Sequence, residues 1–215
     1  VLLLALERKE TRLSKMRSRR RYIICSIILL VLVGRAWIHS VNPLRSFPIK
    51  GQLVFTDKYA PEAKVCLPAA YTGTDGKIEG LYRINGVSKG GKSLKERVSL
   101  HPTKGIVIST QWQSANGFQQ HVLVKNGKVR SFKDKRKFRR RALCNDASNP
   151  DSLFIIESKS RMTMNEFAEA VSKHATNAVN LDMGRWGYGW NDKRKLSRWA
   201  APFKNWQTNW IVVEQ

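Results

Sequence analysis

Acidic side chains are scarce in this sequence. Asp and Glu total 16 against 39 Lys and Arg, a net charge of +23 with a pI near 10.5. That balance favours anionic partners, namely nucleic acid, acidic lipid, or phosphorylated or acidic sugars, and it leaves the fold open. Three cysteines are too few for a miniprotein built on disulfides. The four histidines, His39, His101, His121 and His174, show no metal-type spacing, and no Ser/His/Asp or Cys/His triad announces itself. There is no internal repeat. Tyr22 to Gly34 is an apolar or small run of 13 residues, short of the roughly 20 that a spanning helix wants.

What is present is enough for one domain with a proper core. The chain has 215 residues, 42% of them hydrophobic, which excludes wholesale disorder. Residues 1–40 carry nine basic and two acidic side chains, and residues 41–215 carry 30 and 14, so the body is itself +16. Arg17, Arg19, Arg20 and Arg21 stand before the apolar run, and Arg35 and Trp37 follow it. A basic flank ahead of a short apolar stretch matches an export signal. The same stretch reads equally as an uncleaved membrane anchor, with Arg35 snorkelling and Trp37 at the interface. Either way residues 41–215 are expected outside the cytoplasm. Residues 41–50, with Pro43 and Pro48, read as a linker before a domain over 51–215. Export permits a Cys66–Cys144 bridge; two buried free thiols fit as well.

The body is mostly β in pattern. Short extended segments fall at 52–56, 64–70, 77–84, 97–101, 105–110 and 152–157. Asn126-Gly127 between two such runs is a two-residue hairpin signal. Thr163 with Glu166 forms a capping box, and Phe167, Ala168, Val171 and Ala175 supply a helical apolar stripe. Residues 178–182 and 209–213 read as further strands. The expected fold class is α+β, a strand-rich mixed sheet with at least one packed helix, preceded by the N-terminal hydrophobic helix.

Three features carry chemistry. Gly86 to Ser93 fits the phosphate-loop pattern G-x-x-x-x-G-K-S. The segment before it is not a buried apolar strand, and Leu94 to His101 turns β-like rather than helical. It therefore reads as a glycine-rich loop, with anion binding as the looser role. Lys133 to Arg141 holds seven basic residues and only Asp134 in opposition. It is a solvated loop or an anion patch; with no recognition motif present, nucleic acid is disfavoured. Asn180, Asp182 and Gly184 set a carboxylate at a strand end beside a glycine turn, which suits an acid, a base or a metal ligand, or a turn cap. Arg185, Trp186, Tyr188 and Trp190 follow on a glycine frame suited to stacking on a sugar ring, or equally to packing in an irregular loop.

In order, Arg140-Arg141-Ala142-Leu143-Cys144, then Met162-Thr163-Met164 with Glu166-Phe167-Ala168, then Ala178-Val179-Asn180-Leu181-Asp182-Met183-Gly184, resemble the phosphodiester glycosidase family. Pro68-Ala69-Ala70-Tyr71-Thr72 and Gly80 to Gly86 are similar to its earlier elements. The resemblance implies hydrolysis at a sugar–phosphate or other glycosidic linkage of a glycan or envelope polymer. It places Asp182 as general acid/base or ligand of a divalent metal, Asn180 as its orienter and Arg140 as the phosphate clamp. Tyr71 and Asn85 would line the rim, and Gly184, Arg185, Trp186 and Tyr188 the substrate side. The sequence departs from the family where N-G-G becomes Pro68-Ala69-Ala70, where N-L-D-G-G carries Met183, and where a strand glycine becomes Cys144. The alternative is the same pocket without catalysis, binding an acidic glycan or phosphate.

Overall fold

The computed structural model describes residues 22–33, 43–60, 62–73, 75–91, 94–146, 149–183, 190–191, 194–195 and 209–213. They divide into two units, residues 1–43 and 44–215. In the first, residues 22–33 form a helix, α1, whose side chains are exposed. At about 1.5 Å per residue it rises roughly 18 Å. No helix among the described residues is long and apolar enough to cross a membrane, so an anchoring span finds no support here.

The second unit is α+β. Its strands are β1 (Leu44–Ile49), β2 (Leu53–Thr56), β3 (Val65–Pro68), β4 (Leu81–Ile84), β5 (Val87–Gly90), β6 (Arg97–His101), β7 (Gly105–Ser109) and β8 (Gly117–Phe118). Then come β9 (Val122–Lys125), β10 (Lys128–Val129), β11 (Arg141–Asp146) and β12 (Asn149–Ser158). After the helix α2 (Met164–Ser172) follow β13 (Asn177–Leu181), β14 (Trp190–Asn191), β15 (Arg194–Lys195) and β16 (Trp210–Val213). They build three sheets: a six-stranded one, β1-β12-β11-β13-β9-β10, and two five-stranded ones, β15-β14-β3-β16-β2 and β5-β4-β8-β6-β7.

Every described pairing is antiparallel, which corrects the mixed sheet that the sequence suggested. Tight turns explain part of this: Asn126-Gly127 and Asn85-Gly86 all have positive φ and join adjacent strands directly. The segment read as a linker is instead edge strand β1, paired with β12 from Leu44↔Ser158 to Ile49↔Leu153. An edge position tolerates its Pro48, which has no N–H to donate.

The six-stranded sheet has two buried faces. Ala142, Cys144, Ala178 and Ile156 pack under Met164, Phe167, Ala168 and Val171 of α2. Leu143, Ile155, Val179 and Leu181 point the other way, into a core shared with Phe55, Leu67, Val98, Phe118 and Ile211 of the other two sheets. The capping box forms as the sequence implies: Glu166 N–H donates to Thr163 Oγ1 (3.1 Å) and Thr163 N–H to Glu166 Oε2 (2.7 Å). Cys66 and Cys144 are free and buried in different clusters, so the bridge reading fails. Burial pushes the Cys66 thiol up to about 12 and raises Cys144 as well, which makes both inert.

One charged group lies inside the sheet interface. Arg141 Nε donates to Glu157 Oε1 at 2.6 Å, with both side chains fully buried, and half-exposed Arg45 reaches Glu157 Oε2 at 2.8 Å. Removing one member of a buried pair strands the other charge, at a cost of about 3–5 kcal/mol. Glu157→Gln is therefore expected to destabilise the domain by about that amount in urea titration. Replacing Arg141 and Glu157 together by Met and Leu should cost less. A double variant no better than the single one would mean that the pair stabilises rather than merely tolerates its burial.

Candidate active site

The ends of β3 and β13 and the starts of β9 and β11 come together at one place. β3 stops at Pro68, whose ring cannot donate to a further ladder bond. The departing chain is caught by fully buried Asn209, just before β16. Ala70 N–H donates to Asn209 Oδ1 (2.7 Å), Asn209 Nδ2 donates to the Ala70 carbonyl (3.0 Å), and Ala69 N–H donates to the Asn209 carbonyl (3.4 Å). The Ala69 carbonyl in turn accepts from Asp182 N–H (2.9 Å). The exits of β3 and β13 are thereby tied side by side.

This tie sets Tyr71 over Asn180. Asn180 Nδ2 donates to the Tyr71 hydroxyl oxygen (2.8 Å), and Thr72 N–H approaches Asp182 Oδ2 (3.4 Å). Burial, opposed by Arg140 and reinforced by Asp182, pushes the Tyr71 phenol up to about 12, so it stays protonated. Among the described residues, Asn180 Oδ1 is buried and has no hydrogen-bond partner.

Arg140 reaches the same group. β11 pairs with β13 as Arg141↔Leu181 and Ala142↔Asn180, so alternation puts Arg140 on the face of Asn180 and Asp182. Its N–H donates to Ser158 Oγ (2.8 Å), its Nε to the Met162 carbonyl (3.3 Å) and its Nη2 to the Arg136 carbonyl (3.1 Å). The guanidinium lies 5.2 Å over the Phe138 ring, and its charge acts on the Tyr71 phenol. Burial pulls its pKa below the ordinary value, while Tyr71 and Asp134 oppose that pull. An arginine fixed this firmly loses little freedom when it meets an anion.

His121 completes the cluster. Its ring sits edge-on between Tyr71 and Phe132, 5.8 Å from each, and its carbonyl accepts from Asn180 N–H (2.9 Å). Burial, then the Arg140 charge, lowers its pKa, with Glu79 opposing. Tyr71 and His121 also line an open cleft of about 970 Å³, together with Gln120, Glu79, Asp75 and Lys77. Asp182, Asn180 and Arg140 are not on its wall; they are 7%, 2% and 7% exposed and adjoin it through Tyr71 and His121. Gln120 is buried on that wall, and its Nε2 has no partner among the described residues. Gly80 and Gly90 close one side so tightly that a Cβ at Gly90 would lie 2.3 Å from the Gly80 carbonyl oxygen.

Asn85, expected on the rim, is elsewhere. It occupies the β4–β5 turn at φ 49°, where its N–H donates to Asn116 Oδ1 (3.2 Å), and the cleft is lined at the other end of that hairpin by Gly80 and Gly90. The phosphate-loop pattern fails for the same reason: Val87–Gly90 folds back on β4, and no helix follows. Lys92 and Ser93 lie outside the described residues, as do Gly184, Arg185, Trp186 and Tyr188. Among the described residues no group of three His, Cys, Asp or Glu can hold a metal ion. His121, Gln120 and Asn209 carried no sequence signal beyond a polar pair and an amide ahead of strands.

A family model for phosphodiester glycosidases matches residues 46–184, from β1 through Asp182. The chain belongs to the phosphodiester glycosidase family. No curated protein matches it to significance. Among solved structures it is similar to a hypothetical protein from Synechocystis, at 12% identity and a TM-score of 0.48, covering 80% of this chain. This chain spans 56% of that one. The family match takes in Arg140, Asn180 and Asp182, with the cleft residues between Tyr71 and His121. In this chain Ala69 and Ala70 are fully buried, and Asn209 supplies an amide beside them.

Two outcomes test this construction. Asn209→Leu should destabilise the domain by about 1–3 kcal/mol through the unsatisfied Ala70 groups, and release the Tyr71 phenol, whose ultraviolet titration should move down from about 12. His121 gives a pH signature. The unfolded imidazole titrates near 6.5 and the folded one lower, so below about pH 6.5 the unfolded chain binds more protons. Stability should therefore fall as pH drops from 6.5 to the lowered value, and be unaffected by this group above 6.5. In His121→Phe that part of the slope should vanish from urea midpoints measured between about pH 7.5 and 5.

Proposed function

We propose that this phosphodiester glycosidase hydrolyses a sugar–phosphate or related glycosidic linkage in a glycan or envelope polymer. The observation that carries the reading is the convergence of Asp182, Asn180, Tyr71 and Arg140 beside an open cleft. Arg140 is the anion clamp: its planar fork meets a phosphate in two-point fashion and neutralises charge on the departing group. Asp182 takes the proton from the attacking water, or gives one to the leaving oxygen, within a site that excludes most solvent. Asn180 orients Tyr71, and its free Oδ1, with Gln120 Nε2, recognises sugar hydroxyls. Neutral Tyr71 donates without adding charge. No step here is routed through a metal, and Asp182 remains the residue to examine should a divalent ion prove necessary.

The basic flank and short apolar run at residues 17–34 support an extracytoplasmic location, which fractionation of the tagged protein would test. The Pro68-Ala69-Ala70 exit and Met183 favour one second reading, a pocket that binds acidic glycan or phosphate without turning it over. Turnover of sugar phosphodiesters and aryl glycosides, with and without divalent metal, separates the two. Asp182→Asn should lower kcat by about 10²–10⁴-fold with unchanged melting temperature. Undiminished turnover would remove Asp182 from the mechanism; no turnover by the folded parent, with phosphate binding retained, would favour the binder.

A further inference from the structure

The strongest unexplained feature is the loop between β10 and β11. From Lys133 to Arg141 it carries seven basic residues and one acid. Such a run ordinarily avoids itself, because like charges held together repel. Here it is pinned at both ends. Phe132 N–H donates to Asn165 Oδ1 and Asn165 Nδ2 donates to the Phe132 carbonyl, both at 2.8 Å. Phe138 and Met162 exchange two backbone hydrogen bonds, at 3.0 and 2.8 Å. Phe138 itself is 43% exposed and lies between the guanidinium groups of Arg136 (5.7 Å) and Arg140 (5.2 Å).

The nearby acids are already engaged. Asp134 holds Arg136 through paired contacts of 2.9–3.1 Å, which lower its pKa to about 2. Glu166 takes Lys137 (3.2 Å) and the Thr163 N–H. Lys133, Lys135 and Arg139 are exposed, and the described residues show no ion pair for any of them. A fixed row of unneutralised cations is a preorganised anion receptor, since little freedom is left to lose on binding. The row also connects to the cleft. Arg140 ends the row behind the cleft wall, and Phe132, His121 and Tyr71 form a chain of edge-on rings from the loop to that wall.

We propose that Lys133, Lys135 and Arg139 form a polyanion strip that binds the portion of the substrate flanking the cleaved linkage. This rests on the hydrolase reading and narrows it: the substrate is a polymer with repeating backbone phosphates, threaded from the strip past Arg140 into the cleft. A small sugar phosphodiester would reach Arg140 and leave the strip unused.

The test measures binding of the full chain to fluorescent poly(glycerol phosphate), single-stranded DNA and anionic lipid vesicles, over a range of salt. In Lys133→Gln/Lys135→Gln/Arg139→Gln, whose changes are all at the surface, affinity for poly(glycerol phosphate) should fall at least about tenfold. The slope of log affinity against log salt should shrink by roughly two, about 0.7 for each lost phosphate contact. Unchanged affinity and slope overturn the strip. Parent binding to DNA or vesicles as tight as to poly(glycerol phosphate), lost in the same variant, overturns the sugar–phosphate polymer as its occupant. Turnover is read separately, on a polymer of sugar-1-phosphate units, which has the sugar–phosphate linkage that poly(glycerol phosphate) lacks. Polymer binding that depends on the three cations with no turnover refutes the hydrolase reading alone, and turnover with no dependence on them refutes the strip alone.

Discussion

The register of β13 against β11 is the constraint on which the site depends. Side chains alternate along a strand with period two. With Ala142 opposite Asn180 and Arg141 opposite Leu181, the residues Arg140, Asn180 and Asp182 share one face, and Arg141, Leu143, Val179 and Leu181 share the other. A slip of one residue would send Arg140 and Asp182 into the core and expose Leu181 above the site. The buried Arg141–Glu157 pair fixes the neighbouring β11–β12 register, because any other register there leaves a desolvated charge without its partner. The helix side opposes it too, since Ala142, Cys144 and Ala178 are small enough to admit Phe167 and Val171 between sheet and α2.

Two kinds of positive charge serve this protein differently. Arg141 is enclosed, matched by Glu157, and fixes structure. Arg140, one residue earlier, keeps part of its fork directed at Tyr71 while backbone carbonyls hold the rest. Beyond it the cations are exposed; Arg136 and Lys137 have acidic partners, and among the described residues Lys133, Lys135 and Arg139 show no ion pair. Charge thus grades along a few residues of one chain segment, from an enclosed pair, to a half-held guanidinium, to solvent-facing cations. The net charge of +23 attracts anions to the molecule as a whole at long range.

Much of the local structure was legible because it depends on near neighbours. The Thr163–Glu166 box, the Asn126-Gly127 turn and the 167/168/171 stripe each follow from a few adjacent residues. So did the candidates Asp182, Asn180 and Arg140, which stand at the ends of recognisable strands. Leu44–Ile49 was misread because proline signals irregular chain in general, whereas at a sheet edge it costs no ladder bond. Asn85 was misread because its family neighbours sit near the cleft, while its own turn carries it to the far end of the hairpin. Cys66 and Cys144 could be judged only once their layers were known.

The sequence by itself determined the basic character of this protein, its strand-rich α+β class, and the strand-end pairing of an asparagine with a carboxylate. These follow from composition and short-range pattern. Only the tertiary structure decided that Asn209, far along the chain, holds the Tyr71 segment in place, and that His121 and Gln120 face the same cleft as Tyr71. Each of those facts depends on hydrogen bonds or ring contacts between residues tens to more than a hundred positions apart. No local preference encodes such pairings; they are fixed when three sheets close on a common core.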